Sequence, residues 1–137
     1  MTDQELMEEA KKAREKAYAP YSGFMVGAAL LTEDGSVYHG CNIENAAYTP
    51  SNCAERTAFF RAVYEGKRSF LKIAISGGKE GSSGIQPCAP CGVCRQVMME
   101  FCDPEEFRII LADGNGGCES YSLSQLFPRG FGPACLR

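Results

Sequence analysis

The sequence lacks clusters of basic residues. Its 137 residues include 17 acidic and 14 basic side chains, which give a formal net charge of -3, and no run of lysine or arginine stands out. A protein that follows a phosphate backbone needs such a run, so we do not expect nucleic acid as the main partner. No apolar run approaches the length of a membrane span, so we expect no membrane partner either.

Histidine is also scarce, because His39 is the only one in the chain. A nucleophilic site that depends on a histidine base is therefore poorly supported. His39 falls in a predicted strand, and we expect it to lie at the surface rather than to bind a metal.

Cysteine is more plentiful, but not at the level of a disulfide scaffold. Eight cysteines in 137 residues lie below the roughly 8–10% density that such scaffolds show. The acidic stretch 1–5 lacks the charged and then apolar pattern of a signal peptide. We therefore expect a cytoplasmic protein with reduced thiols, in which a Cys-x-x-Cys spacing indicates metal or redox chemistry.

Length and composition favour one domain spanning residues 1–137, since 45% hydrophobic content can fill a single core. Helical spacing of apolar residues predicts helices at 2–18, 53–64, 91–101 and 122–127. Apolar runs bounded by turn residues predict strands at 24–31, 36–42, 70–75, 107–112 and 118–121, with a glycine- and serine-rich loop at 77–84. Strands that alternate with helices after a first hairpin indicate an α/β layered domain with a mixed sheet.

Two cysteine motifs can meet at one metal ion. Cys91 and Cys94 are spaced to chelate from one helical turn, and Cys53 can add a third ligand from the start of another predicted helix. Unpaired N–H groups and the positive dipole end at a helix N-terminus favour thiolates. Three protein ligands leave the fourth position of Zn²⁺ for water, which is the arrangement of a catalytic site.

Other interpretations of the cysteines stay open. Cys88 and Cys91 have the same spacing as Cys91 and Cys94, so a structural zinc knuckle with a fourth cysteine, or buried free thiols, fits the pattern. Glu55 favours catalysis, because a carboxylate beside a metal-activated water can accept its proton and deliver it to a leaving group. Alternatively, Glu55 is an ordinary glutamate of a first helical turn.

Three thiolates around Zn²⁺ leave the cluster negative, which weakens the ability of the metal to acidify water. Arg56 and Arg95 follow Glu55 and Cys94 in the sequence, where a guanidinium can bond ligand sulfurs and withdraw charge from them. The alternative for each is a solvated arginine on a helix.

The segments 53–58 (CAERTA) and 90–96 (PCGVCRQ) closely resemble the zinc-dependent cytidine deaminases of nucleoside salvage. Segments 21–30, 42–48 and 131–133 resemble further parts of that family, so the match covers nearly the whole chain in the family's order. The resemblance implies a three-layer α/β/α fold with a mixed five-stranded sheet. It also implies one Zn²⁺ per subunit and a homotetramer.

The resemblance implies a role for each residue of the site. Those that handle the metal and the proton are the zinc ligands Cys53, Cys91 and Cys94, the proton shuttle Glu55 and the charge-moderating Arg56. Those that contact the nucleoside are Phe24 on the pyrimidine, Asn42 and Glu44 at the ribose hydroxyls, the Ala54 backbone at the base, and Tyr48 and Phe131, which reach a neighbouring subunit's site.

The implied reaction is hydrolytic deamination of cytidine and deoxycytidine to uridine and deoxyuridine, with release of ammonia, by zinc-activated water. Two alternatives remain. One is deamination of another substrate, such as a cytosine-containing small molecule or a base in RNA or DNA, although the acidic balance argues against polymers and Asn42 and Glu44 argue for a free ribose. The other is a noncatalytic zinc-binding module, in which the metal only holds the fold.

Overall fold

The computed structural model describes residues 1–137. Its strands are β1 (Phe24–Thr32), β2 (Val37–Cys41), β3 (Phe70–Lys79), β4 (Arg108–Ala112) and β5 (Cys118–Ser122). Its helices are α1 (Asp3–Arg14), α2 (Ala54–Tyr64), α3 (Gly92–Phe101) and α4 (Leu123–Leu126), followed by a 3₁₀ helix at Pro133–Leu136. No helix combines the length and the apolar character that a membrane crossing needs.

The strands form one five-stranded sheet in the order β2-β1-β3-β4-β5. β3 and β4 are parallel, and the other three neighbouring pairs are antiparallel. The parallel pair needs a crossover, and α3 lies in the connection that provides it. The predicted mixed sheet is therefore confirmed.

The sheet is covered by helices on both faces. Alternate residues of β1 point to opposite sides, so Leu30 joins a core cluster with α2 and α3, whereas Leu31 joins a second cluster with α1. In the larger cluster, the ring of Phe59 in α2 lies 5.1 Å from that of Phe70 in β3 and 6.2 Å from that of Phe101 in α3, between centroids. The predicted three-layer α/β/α arrangement is confirmed.

Two predicted boundaries are wrong for the same reason, which is pairing with a distant segment. α1 ends at Arg14, and Tyr18 instead forms a bridge with Ile43, its N–H donating to the Asn42 carbonyl at 2.9 Å. β3 continues through its glycines to Lys79, because β1 pairs with it along its whole length. Local composition predicted a helix up to Tyr18 and a loop from Gly77, but hydrogen bonds with other segments determine the structure at both places.

Gly40 allows α2 to lie directly on β2. A β-carbon at Gly40 would lie 2.3 Å from the Ala54 carbonyl oxygen and 2.5 Å from the Ala58 nitrogen. Ala54 is the first residue of α2, so this contact sets where the helix begins above the sheet. Gly27 likewise allows α1 to lie directly on β1, because a β-carbon at Gly27 would lie 2.1 Å from the Ala10 carbonyl oxygen.

We predict that Gly40→Ala lowers the free energy of unfolding by about 2–3 kcal/mol, because the added methyl group meets backbone atoms that cannot move aside cheaply. Urea denaturation of the zinc-loaded protein measures this. Gly92→Ala is the control, since the nearest atom to its β-carbon is a side-chain nitrogen of Arg95 at 3.8 Å. Equal unfolding midpoints for the two variants would contradict the close approach of α2 to β2.

Candidate metal centre and active site

Three cysteine sulfurs meet where α2 and α3 begin. Cys53 and Cys91 precede the first turns of the two helices, and Cys94 lies in the first turn of α3. The sulfur of Cys91 lies 3.6 Å from that of Cys53 and 3.5 Å from that of Cys94, and all three lie within 4.8 Å of one another. A disulfide needs about 2.05 Å, whereas Zn–S bonds of about 2.3 Å place tetrahedral sulfurs roughly 3.8 Å apart. The donor set therefore fits a zinc ion.

Cys88 lies outside this cluster. Its sulfur packs against β3, where a β-carbon on Gly77 would lie 2.5 Å from it. The residues that could hold a metal are Cys53, Cys91 and Cys94 alone. A structural knuckle with Cys88 as a fourth ligand does not fit this geometry, and the three sulfurs would leave the fourth position of a bound zinc ion to water.

Arg56 stabilises negative charge on the cluster. Its Nη2 donates to the Cys53 sulfur at 3.3 Å. The Cys94 thiol and the Arg56 guanidinium together lower the pKa of Cys53 to about 5, because both stabilise its thiolate against the opposing effect of burial. The pKa of Cys94 is raised, because its thiol donates to Cys53 and is itself buried. Cys53 thus ionises more readily than Cys94.

Arg95, unlike Arg56, donates no hydrogen bond to a cysteine of the cluster. Its Nη1 donates to the Leu126 carbonyl, and its guanidinium carbon lies 5.3 Å from the centroid of the Phe127 ring. These contacts join α3 to the end of α4. The structure thus places Arg95 neither on a ligand sulfur nor as a solvated helix arginine.

Glu55 is buried beside the sulfurs. Its side chain is only 3% exposed, and no Lys, Arg or His nitrogen lies within 4.0 Å of its carboxylate. Burial raises the pKa of Glu55 to about 7, since the charged form loses its hydration. A carboxyl group that titrates near neutral pH can both accept and donate a proton.

A cavity of about 380 Å³ opens beside the metal cluster. This volume lies within the range of small-molecule sites. Its lining combines groups from the metal side with several predicted substrate residues: Cys53, Cys91, Glu55 and Arg56, together with Asn42, Glu44, Tyr48 and Ala54. The fold therefore brings together most of the site residues predicted from the sequence.

Two of the three predicted aromatic contacts, Phe24 and Phe131, do not line this cavity. Phe24 is exposed, but its ring lies close to Cys88, which does line the cavity, because a β-carbon on Gly77 would meet both residues. Phe131 is 57% exposed and does not line the cavity. Its carbonyl accepts a hydrogen bond from the Gln96 side chain at 2.8 Å.

Asn42 and Glu44 have internal partners that sequence reasoning missed. The Asn42 amide accepts from the Val26 N–H at 2.9 Å and donates to the Phe24 carbonyl at 2.8 Å. The Glu44 carboxylate accepts from the Ser22 hydroxyl and from the N–H groups of Tyr21 and Ser22, both at 3.1 Å, which lowers its pKa. Both side chains hold the segment that begins β1. Only the polar turn before β1 could have hinted at these bonds.

The sequence of this chain is similar to those of known deaminases over most of its length. Residues 1–109 match the family described as the cytidine and deoxycytidylate deaminase zinc-binding region. Cytidine deaminases of Sporosarcina psychrophila and Halalkalibacterium halodurans are 52% and 48% identical over 131 residues, which cover 96% of this chain and 92% and 95% of theirs.

Solved structures of cytidine deaminases also resemble this chain. The crystal structure of cytidine deaminase from Burkholderia pseudomallei has a TM-score of 0.85 and 51% identity, and covers 96% of this chain and 100% of that one. That of cytidine deaminase from Mycobacterium tuberculosis has a TM-score of 0.82 and 36% identity, covering 96% and 98%. The chain therefore belongs to the cytidine and deoxycytidylate deaminase family. The predicted family and zinc cofactor are confirmed, and the protein is a zinc-dependent deaminase.

We predict that Cys91→Ser lowers the zinc content well below one ion per chain, because Cys91 is the sulfur within 3.6 Å of both others. Cys88→Ser is the matched control, since it alters a nearby thiol outside the cluster and should leave zinc content unchanged. Elemental analysis of the purified proteins measures both. Equal zinc loss in the two variants would contradict the assignment of the three ligands.

Proposed function

We propose that this protein catalyses the hydrolytic deamination of cytidine and deoxycytidine. Water adds to C4 of the pyrimidine, the bond from C4 to the amino nitrogen breaks, and uridine or deoxyuridine and ammonia are released. The observation that carries this proposal is the single cavity onto which Glu55 and the cysteine cluster open. The relatives named cytidine deaminase, which align over 96% of the chain, support it. We propose nucleoside salvage in the cytoplasm as its setting.

Glu55 carries the protons in this reaction. Cys53, Cys91 and Cys94 hold Zn²⁺, which when bound supplies the Lewis acidity that makes water a nucleophile at neutral pH. Glu55 accepts a proton from the attacking water and delivers it to N3 of the pyrimidine. It then moves the remaining proton, that of the new C4 hydroxyl group, to the departing amine, which leaves as ammonia while the C4 carbonyl forms. Its burial suits this role, because a pKa near 7 allows transfer in both directions. Arg56 offsets the charge of the thiolates through its bond to Cys53.

Asn42 and Glu44 bind the ribose hydroxyls in this proposal, although both already have internal partners. A carboxylate has about four lone-pair sites, and Glu44 uses three of them. The Asn42 amide makes one bond through each polar atom, so one N–H and one lone pair remain. The internal bonds therefore orient both groups without exhausting them. In this proposal Phe24, whose ring lies near Cys88, packs on the pyrimidine, and the Ala54 backbone contacts the base.

The alternatives are deamination of another cytosine-containing small molecule and a noncatalytic zinc-binding module. The buried position of Glu55 on an open cavity favours catalysis over a purely structural metal. Zinc analysis combined with ultraviolet monitoring of cytidine separates the possibilities. Zinc without any loss of the cytidine absorbance favours the binding module, and turnover only of another cytosine compound favours the first alternative.

We predict that Glu55→Gln lowers turnover of cytidine by about 10²–10⁴-fold, because the amide cannot transfer a proton. Zinc content and melting temperature should stay near the wild-type values, since the substitution keeps the shape of the side chain. Glu65→Gln, on the exposed residue that follows α2, is the control and should retain full turnover. Substantial residual turnover in Glu55→Gln would exclude the shuttle role.

We also propose that the 137 residues form one catalytic domain and that four subunits assemble. Tyr48 and Phe131 would then reach a neighbouring subunit's site. Their exposure in the single chain, 92% and 57%, supports this, because a neighbour would cover these apolar surfaces.

We predict a mass in solution of about four times 14.9 kDa, measurable by light scattering.

Phe131→Ala should lower cytidine turnover, because a neighbouring site loses an aromatic contact. Glu106→Ala, on an exposed charged residue, is the control. A monomeric mass with full activity would overturn the tetramer and the role of Phe131 together.

A further inference from the structure

We propose that Arg14 is a positioning residue that ties the start of β1 to the segment after β3, both of which lead into the cavity wall, and thereby sets the fit of the nucleoside. This proposal rests on the proposed function. Arg14 belongs neither to the cysteine cluster nor to the residues that line the cavity. It acts through the backbone of β1 and of the segment that leads from β3 to the cluster.

Arg14 is a buried cation without a carboxylate partner. Its side chain is 6% exposed, and it forms no ion pair within 4.0 Å. Its Nε donates to the Met25 carbonyl at 3.1 Å, and its Nη1 to the Ser82 carbonyl at 2.9 Å. Its Nη2 donates to the Lys79 carbonyl at 2.8 Å and to the Ser82 hydroxyl at 2.6 Å. A buried charge is tolerated only when such bonds replace water, so these contacts are strongly specified.

The glycine- and serine-rich segment is shaped around this guanidinium. A β-carbon on Gly84 would lie 2.8 Å from Arg14 Nη1 and 2.7 Å from the Ser76 hydroxyl. A β-carbon on Gly78 would lie 2.4 Å from the Ser82 hydroxyl that accepts from Arg14. Gly78 and Gly84 therefore leave the space that the Arg14 guanidinium and its Ser82 partner occupy.

Both segments that Arg14 joins lead into the cavity wall, although the residues that it bonds do not themselves line the cavity. Met25 lies between Phe24 and Val26, the two residues that the Asn42 amide bonds, and Val26 lines the cavity. The other segment runs on to Cys88 and Ala89, which line the same cavity. The pairing of β1 with β3 ends at Lys79, so loss of Arg14 should let the segment that follows Lys79 shift against β1.

The expected consequence is weaker ground-state binding rather than slower chemistry. Cys53 and Glu55 lie at the start of α2, which none of the bonds of Arg14 reaches. A change that raises KM at constant kcat removes binding that substrate and transition state share. We expect Arg14→Met to raise KM for cytidine about tenfold with kcat within about threefold.

The experiment compares Arg14→Met, Arg14→Lys and Ser82→Ala with the wild type. Arg14→Lys keeps the charge but not the fork of donors, and should raise KM by an intermediate amount. Ser82→Ala removes one of the four bonds and should raise KM about twofold to threefold. Arg108→Met is the control, because Arg108 bonds only Ser120 on β5. Uridine binding by calorimetry, zinc content and melting temperature are measured for every variant.

Weaker uridine binding that follows KM, at unchanged zinc content, supports the proposal. A lower melting temperature with unchanged KM and uridine binding would overturn it, because Arg14 would then only stabilise the fold. If Arg14→Met does not fold, Ser82→Ala decides on the same criteria. A wild-type protein that binds zinc without converting cytidine contradicts the proposed function instead, and uridine binding still reports on Arg14.

Discussion

The convergence of two helix N-termini on one set of sulfur atoms is the constraint on which the rest of the structure depends. Thiolates close together repel one another, and the positive ends of α2 and α3 with the Arg56 guanidinium offset part of that repulsion. The sheet fixes both helices. α2 is seated on β2 through Gly40, and α3 lies in the crossover between the parallel strands β3 and β4.

Neighbouring residues at this point have opposite electrostatic environments. Cys53 is half-buried at a helix start and receives donors, so its pKa falls to about 5. Glu55, two residues later, is turned into the protein interior and lacks a cationic partner, so its pKa rises to about 7. One turn of helix thus provides a stable anion for a metal and a carboxyl group that can exchange protons near neutral pH.

The sequence predicted those features that depend on local spacing. The helical spacing of apolar residues predicted that helices start near Cys53 and Cys91. The positions of Cys53, Glu55 and the Cys91–Cys94 pair at those starts then predicted that they lie close together. Features that depend on distant pairing could not be predicted. The extension of β3 to Lys79 needs β1 beside it, and the contact of Arg95 with Phe127 joins two helices whose approach no local pattern reports.

The same limit applies to the substrate residues. Asn42 and Glu44 were predicted from resemblance as ribose ligands, whereas the structure shows that they also hold the start of β1. Arg14 had no local signal, because its partners lie 11, 65 and 68 residues along the chain, in other elements or loops. Cavity walls of this kind are built by side chains that bond the backbone of another segment, and the sequence shows neither partner as special.

The central claim is that water replaces an amino group on a pyrimidine at the Glu55 side of the cluster. Mass spectrometry of the nucleoside made from cytidine in water enriched in heavy oxygen tests it most directly. The account predicts uridine with a single heavy oxygen at C4 and an equal amount of ammonia. Unlabelled uridine, or uridine without matching ammonia, would contradict it.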